Sequence, residues 1–442
     1  MKKFLTYIVV FVAVVVLVVL HCCGGVVSRC QKFDVEQMSF ADSVITSAIG
    51  EGHFPGAVLC VVRRSEDGMS VGEVLYMKAY GNRRVVAGRD MVTGRLQPDT
   101  VAMTTDAVFD LASLSKCVGT TLAFMQLVEE GKVRLSDDVA QYIPHFKPWE
   151  SKPKKRGEKV ERETITIEHL LTHTSGFAAG INPASWMKRY EKYGDPMQMN
   201  LRDSLISYLA VDAPRLARPG EMRRYSCLNF ILLQAIIEKT TSMRLDEYAK
   251  MSVFEPLRLK NTWYNDIDAA QRPYSVDAPI VPTELLADGK LLEGEVHDPT
   301  ARVVNRGVSG NAGLFSTAED LAVVASMLMN GGRIAYSKGG LLGLLGLKDC
   351  VRLYGSSTIE RFFTVPEKFA EHGRALGWDS GFFGDLSSDG AVNHTGYTGT
   401  SLAIDTERGV AVILLTNRVH PHDDGSLGRV RALISNIVAS AM

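Results

Sequence analysis

Residues Phe109 to Pro144 read FDLASLSKCVGTTLAFMQLVEEGKVRLSDDVAQYIP. Within this stretch Ser113 precedes Lys116 by three positions, at the start of a helical pattern. On a helix that spacing puts a hydroxyl and an amine on one face. The amine can then take the hydroxyl proton and turn a weak alcohol into a nucleophile. Phe109, Leu111 and Ala112 lead into the tetrapeptide, an amphipathic helix is predicted through Val128, and Gly131 stops it. This layout holds a nucleophile at a helix N-terminus, where free backbone N–H groups can bind an oxyanion. Ser115 is the rival nucleophile, but it adjoins Lys116 and faces elsewhere on the helix.

The flanking sequence predicts strands at both ends of the chain and helices between them. Residues 39–50 read as an amphipathic helix. GAVLCVVRR (Gly56 to Arg64) and VLYMKAYG (Val74 to Gly81) read as strands joined by a turn with Ser65, Asp67 and Gly68. SLAIDT (Ser401 to Thr406) and VAVILLTN (Val410 to Asn417) read as a second hairpin, followed by a helix over 427–439. The fold class is therefore α+β: an antiparallel sheet built from both chain ends, flanked by helices, with a mostly helical lobe inserted. The charge-rich run Lys147 to Thr164 has no hydrophobic period and reads as a solvated loop. The apolar, Gly-rich run Gly339 to Cys350 reads as a buried excursion.

The 442 residues are 46% hydrophobic and 22% charged with a net charge of −1, an ordinary globular composition. No basic surplus exists to neutralise phosphates, which argues against a nucleic-acid partner. Lys2 and Lys3 precede an uncharged apolar run from Phe4 to Leu20, the form of a signal peptide or single membrane anchor. The lysines stay cytoplasmic, so the remainder is expected to be exported to the cell envelope. Leu20-His21-Cys22-Cys23 is similar to a lipoprotein cleavage site, with Cys23 lipidated or Cys22 as the alternative. The expected organisation is residues 1–23 as leader or anchor, 24–36 as tether and 37–442 as one domain. The seven cysteines form no C-x-x-C pair, and most are expected to be buried small hydrophobes.

Three more stretches carry a family resemblance. They are ITIEHLLTHTSGF (Ile165 to Phe177), ARPGEMRRYSCLNFILLQAIIEKTT (Ala217 to Thr241) and NHTGYTGTSLAIDTERGVAVILLTNR (Asn393 to Arg418). With the Ser113 stretch they resemble the serine β-lactamase and penicillin-binding protein superfamily, nearest its class C and D,D-peptidase-like branch, over residues 40–439. VHDPTARVVNRGVSGNAGLFSTAEDLA (Val296 to Ala322) and ALGWD (Ala375 to Asp379) are similar to its internal landmarks. The resemblance implies a two-lobed architecture with the active site between the lobes.

It also implies roles for residues. Tyr225 shares proton transfer with Lys116. His394, Thr395 and Gly396 stand in the K-T-G strand and hold substrate, and the N–H groups of Ser113 and Tyr397 form the oxyanion hole. His394 replaces the usual lysine, and its charge is expected to tune recognition of a substrate carboxylate as it titrates near pH 6.5. Cys227 takes a substrate-binding place usually held by Asn or Asp, and a thiol is a poor hydrogen-bonding group there. Lys116 is expected to have a lowered pKa so that it spends time neutral.

His169 and His173 stand four apart, a metal-ligand spacing, but no third ligand motif accompanies them, and packing or turn roles are assigned. His297-Asp298 is likewise assigned a structural role. Acyl transfer needs no cofactor. The expected activity is an exported serine hydrolase forming an acyl-enzyme on Ser113 with D-alanyl peptide or β-lactam amides. An ester hydrolase on the same scaffold is the alternative. A non-catalytic module sensing penicillin or peptidoglycan is the alternative of another class. The expected partners are a small-molecule or peptidoglycan-derived substrate and the membrane, through the N-terminal segment.

Overall fold

A computed structural model describes residues 33–442 except 154, 156–157, 192–200, 271–272, 276, 339 and 341–345. The N-terminal leader, the lipoprotein cysteines and most of the tether lie outside these residues. No described helix is long and apolar enough to cross a membrane.

The central sheet has seven strands. Strand β1 (Gly56–Arg63) pairs with β2 (Glu73–Arg89), which pairs with β3 (Leu96–Ala102). On its other edge β1 pairs with the strand Val410–Thr416, Ala57 opposite Thr416 and Arg63 opposite Val410. Outward from there follow Ser401–Asp405, Ala391–Thr395 and Asp379–Ser380, and every pairing is antiparallel. The two chain ends thus meet in the middle of one sheet, as the two apolar hairpins predict. The second expected strand is longer than the sequence pattern, because β2 runs on to Arg89 as the partner of β3.

Both faces of the central strands are covered, which explains why they read as continuous apolar runs. Side chains alternate across the sheet. Ala57, Leu59 and Val61 of β1 face the helices Met38–Gly50 and Gly428–Ala441, together with Val412 and Leu414. Val58, Cys60 and Val62 face the main core, which continues into the helical lobe. The first helix buries Met38, Ala41, Ile45 and Ala48, an i, i+3, i+4 stripe. Of the expected tether, Phe33 is buried in this outer cluster, and the Asp34 N–H donates to the Ala441 carbonyl.

The helix after Ser113 departs from its predicted form. Residues Ser115–Thr121 are π-helical and entirely buried, and Leu122–Glu129 continues as α-helix. The pattern looks amphipathic only in its second half, because its first half is wedged between Tyr264 and the helix Cys227–Thr241. That helix is itself buried at Leu228 to Gln234, Ile236 and Ile237. Gly119 permits the wedge, since a Cβ there would stand 2.2 Å from the Tyr264 hydroxyl. The charge-rich loop contains a short pairing of Trp149–Glu150 with Arg162–Glu163. The buried excursion expected at Gly339 to Cys350 is corrected at its described end. Leu347 is exposed, and Lys348–Arg352 is a surface strand paired with Arg333–Ser337.

Candidate active site

The turn that carries Ser113 is fixed from several sides. Buried Asp110 accepts the Ala112 N–H through Oδ1 at 2.8 Å and the His297 N–H through Oδ2 at 2.7 Å. Ala112 has φ 45°, a left-handed value costly for a residue with a Cβ. The Leu111 N–H donates to the Leu314 carbonyl, and the Leu111 carbonyl accepts from Thr400 Oγ1 at 3.0 Å. Gly396 completes the approach: a Cβ there would lie 2.4 Å from the Leu111 oxygen and 2.1 Å from Thr400 Oγ1. The strand Ala391–Thr395 therefore runs into the Ser113 turn as closely as only glycine allows.

Lys116 is fully buried, and its Nζ donates to Ser113 Oγ at 3.0 Å and to the Asn311 carbonyl at 2.8 Å. Ser115 is occupied elsewhere: its Oγ accepts the Leu314 N–H at 3.0 Å. Lys116 Nζ lies 5.1 Å from the Tyr225 ring centroid and 5.8 Å from that of Phe230. Burial pulls the Lys116 pKa down, but the acidic groups of Cys227 and Tyr225 pull it up, and the balance is upward. The lowered pKa expected from the sequence is thus corrected. The groups nearest this ammonium are potential anions, and attraction to them outweighs desolvation.

Tyr225 is partly exposed, with its ring 4.4 Å from that of His173. His173 Nδ1 accepts the Ser226 N–H at 3.1 Å, which pins the backbone just after Tyr225. Asn229 is buried and accepts from Ser175 Oγ at 2.6 Å, a structural tie. His169 closes a capping box with Thr166, whose N–H it accepts at 3.0 Å. The packing and turn roles expected of His169 and His173 match these contacts. Cys227 is half-buried at the first turn of its helix, and Cys60 and Cys117 are buried while Cys350 is exposed.

A cleft of about 460 Å³ is lined by Ser113, Tyr225, His394, Thr395, Gly396 and Tyr397. The structure thus gathers six of the eight sequence-predicted residues around one cavity, with Lys116 bonded to Ser113 and Cys227 beside Lys116 electrostatically. Among the described residues the N–H groups of Ser113 and Tyr397 have no internal acceptor. Tyr397 is 57% exposed, its hydroxyl bonded to Asp423 and its ring stacked 5.6 Å from His297.

His394 is corrected in charge. It is buried, its Nδ1 bonds the Thr395 carbonyl at 2.9 Å, and its Nε2 meets Nη2 of Arg374 at 3.1 Å. Burial first, and the Arg374 guanidinium second, push its pKa down to about 3. His394 is neutral throughout the physiological range and does not titrate near pH 6.5.

Several functional candidates escaped the sequence reading. Arg374 is fully buried and binds Asp379 at 2.6 Å; Arg223 binds the same carboxylate. An arginine directly before the apolar ALGWD landmark was the available signal. Asn311, the carbonyl partner of Lys116, lies inside the quoted Val296 to Ala322 stretch. Arg431 gave no signal, since one arginine on a C-terminal helix looks like a solvated face. It lines the cleft and donates to the Thr400 carbonyl at 3.0 Å, while its Nε is buried without a partner. Arg418, also on the cleft wall, is paired with Asp423, whereas Arg431 has no acidic partner among the described residues.

A serine bonded to a buried lysine, a neighbouring tyrosine and a glycine-tight strand end, set between an antiparallel sheet and a helical lobe, define a class of hydrolases. The Beta-lactamase family pattern matches residues 41–436, and the chain belongs to that family. The N-acetylmuramyl-L-alanine amidase of Bacillus subtilis (strain 168) is 31% identical over 88% of this chain and 82% of its own length. A protein of Escherichia coli (strain K12), provisionally named a D-alanyl-D-alanine carboxypeptidase, is 30% identical over 88% of this chain and 84% of its own. Among solved structures, EstCE1, a hydrolase with promiscuous acyltransferase activity, superposes with TM-score 0.61 at 22% identity, covering 91% of this chain and 98% of its own. The octameric penicillin-binding protein homologue from Pyrococcus abyssi superposes with TM-score 0.57 at 23% identity, covering 86% and 73%. These two likenesses concern the fold.

Proposed function

We propose that the chain is an exported serine hydrolase that cleaves an amide in peptidoglycan-derived material, with a carboxylate on the leaving side of the bond. The observation that carries this reading is the 3.0 Å contact between Ser113 Oγ and buried Lys116 Nζ at the floor of a cleft. Lys116 and Tyr225 act as one proton-accepting pair for the Ser113 hydroxyl. Oγ attacks the carbonyl, and the N–H groups of Ser113 and Tyr397 receive the oxyanion. The pair returns its proton to the leaving nitrogen, and water then releases the acyl group from Ser113. Thr395 and Gly396 hold the substrate along the end of the strand Ala391–Thr395. Arg431, a half-buried guanidinium without an acid, supports a substrate that brings its own anion. Of the two relatives, one is named for an amide to L-alanine and the other for removal of a carboxy-terminal D-alanine, and the second bond type supplies that carboxylate.

Intact-mass measurement tests the reading. Wild-type protein incubated with N-acetylmuramyl-L-alanine, a D-alanyl-D-alanine peptide, a β-lactam and a short-chain ester should gain an acyl mass or turn over at least one amide. Ser113→Ala should do neither. A second reading, ester hydrolysis, is favoured by one observation: the K-T-G lysine is replaced by a neutral, buried histidine. Turnover of the ester alone would replace the first reading with the second. Attachment to the membrane through residues 1–23 is proposed from the sequence, and palmitate labelling lost in Cys23→Ser tests its lipoprotein form.

A further inference from the structure

Arg374 has an unusual set of partners for an arginine with no exposed surface. Its Nη1 donates to Asp379 at 2.6 Å, its Nη2 meets His394 Nε2 at 3.1 Å, and its Nε has no partner. Its guanidinium carbon stands 5.6 Å from the Tyr225 ring centroid. A guanidinium only donates, so Nε2 of His394 must accept. A neutral imidazole carries one proton, which then belongs to Nδ1, and Nδ1 donates to the Thr395 carbonyl at 2.9 Å. The hydrogen-bond directions alone therefore fix the tautomer.

We propose that Arg374 is a positioning residue that locks His394 as the Nδ1–H tautomer, and through it holds the Thr395 carbonyl and the turn to Gly396 and Tyr397. The guanidinium does not touch the substrate, because none of its surface is exposed. Asp379 pairs in register with Asn393, next to His394, so Arg374 is itself fixed to the same edge of the sheet. The Thr395–Gly396–Tyr397 backbone passes the Ser113 turn at the glycine-tight contact described above. A displacement of about 1 Å there would move the Tyr397 N–H relative to the scissile carbonyl, a change worth on the order of 10²-fold in rate.

The charged and titratable groups around His394 come from several elements. They are Arg374 and Asp379 from the sheet edge, Lys116 from the π-helical turn, Tyr225 and Arg223 from the segment before Cys227, and His173 from the turn after Ile167–Leu171. A second proton on His394 would have to sit on Nε2, facing a cation. The lock therefore keeps His394 neutral and the cleft's charge constant through neutral pH.

The inference about rate rests on the acyl-transfer reading, but the tautomer does not, so the two can fail separately. In wild-type protein, ¹⁵N NMR of the histidine rings should show His394 with unprotonated Nε2 and protonated Nδ1 from about pH 8 to 5. Arg374→Met should lower kcat by about 10²-fold with KM little changed. It should also introduce an ionisation between about pH 5 and 7 into the kcat profile, from the released imidazole. Arg374→Lys should restore part of the rate and abolish the new ionisation. A His394 that titrates in this range in wild type, or carries its proton on Nε2, overturns the lock whether or not Arg374→Met folds. An Arg374→Met enzyme with wild-type kcat and pH profile overturns the positioning role while leaving the acyl-transfer reading intact.

Discussion

Lys116 and His394 are two basic side chains buried in the walls of one cleft, and the structure holds them in opposite states. Lys116 faces Ser113, the Asn311 carbonyl and the acidic groups of Tyr225 and Cys227, and its pKa is held up against burial. His394 faces a guanidinium, and its pKa falls to about 3. Burial disfavours the charged form of both, so desolvation alone does not explain the contrast. The neighbours decide: potential anions around the lysine, a fixed cation beside the histidine. One wall of the cleft is thus built to exchange protons and the other to stay inert.

The strongest way to break this contrast is to remove the nucleophile from the active wall. Ser113→Ala should abolish covalent labelling and lower kcat by on the order of 10⁶-fold, since no other group can carry the acyl chain. Ser115→Ala should keep labelling and lose about 1 kcal/mol of stability with its bond to the Leu314 N–H. Reversed phenotypes in a labelling assay would move the nucleophile to Ser115. Next in size, Lys116→Ala and Tyr225→Phe should each slow acylation by roughly 10²–10⁴-fold. Full burst-phase acylation in Tyr225→Phe would remove Tyr225 from the proton transfer.

The active wall was largely legible in the sequence and the inert wall was not. Ser113 and Lys116 are local, three positions apart, so one helical turn brings them together. Tyr225 and the His394 strand came from motif resemblance, and the cleft gathers them. What failed was electrostatic. Avoiding the reading of His394 as a titrating carboxylate anchor required knowing that Arg374, twenty positions earlier in the chain, would be buried against it. Reading Lys116 as raised rather than lowered required knowing which groups surround it. Long-range pairing across a sheet edge leaves no periodic trace, whereas the apolar alternation that builds the sheet does. The π-helical start after Ser113 was equally invisible, because its burial comes from Tyr264 and the helix Cys227–Thr241, far along the chain.

Arg431 sharpens the contrast from a third position, as the cation left without an acid. Arg431→Gln should lower kcat/KM for amides with a free carboxylate by about 10- to 100-fold, the worth of a charged hydrogen bond of roughly 1.5–3 kcal/mol. Neutral esters should be nearly unaffected. An equal loss on both substrate classes would make Arg431 a support for the Thr400 carbonyl alone.

The smallest expected effect, a flat substrate preference, is the most discriminating, and it concerns pH. His420 is buried with its Nδ1 bonded to the Thr283 carbonyl at 3.0 Å. Burial pushes the pKa of His394 to about 3 and those of His169 and His420 to about 4, all below the ordinary histidine value of 6.5. Between about 6.5 and these values the unfolded chain binds more protons than the folded one, so stability falls as pH falls. Each histidine contributes up to about 1.4 kcal/mol per unit in that window, and urea titrations at pH 7.5 and 5 should show the loss. Substrate preference should not follow. From about pH 8 to 6 His394 stays neutral, and Arg431, lowered by burial only to about 10, stays charged. The ratio of kcat/KM for a carboxylate-bearing amide to that for a neutral ester should then be flat, because the proton-transfer pair is common to both. A titrating histidine anchor, the expectation from sequence, would instead raise that ratio toward pH 6. A rising ratio in wild type that flattens in His394→Lys would return the carboxylate to His394 and dissolve the distinction between the two walls.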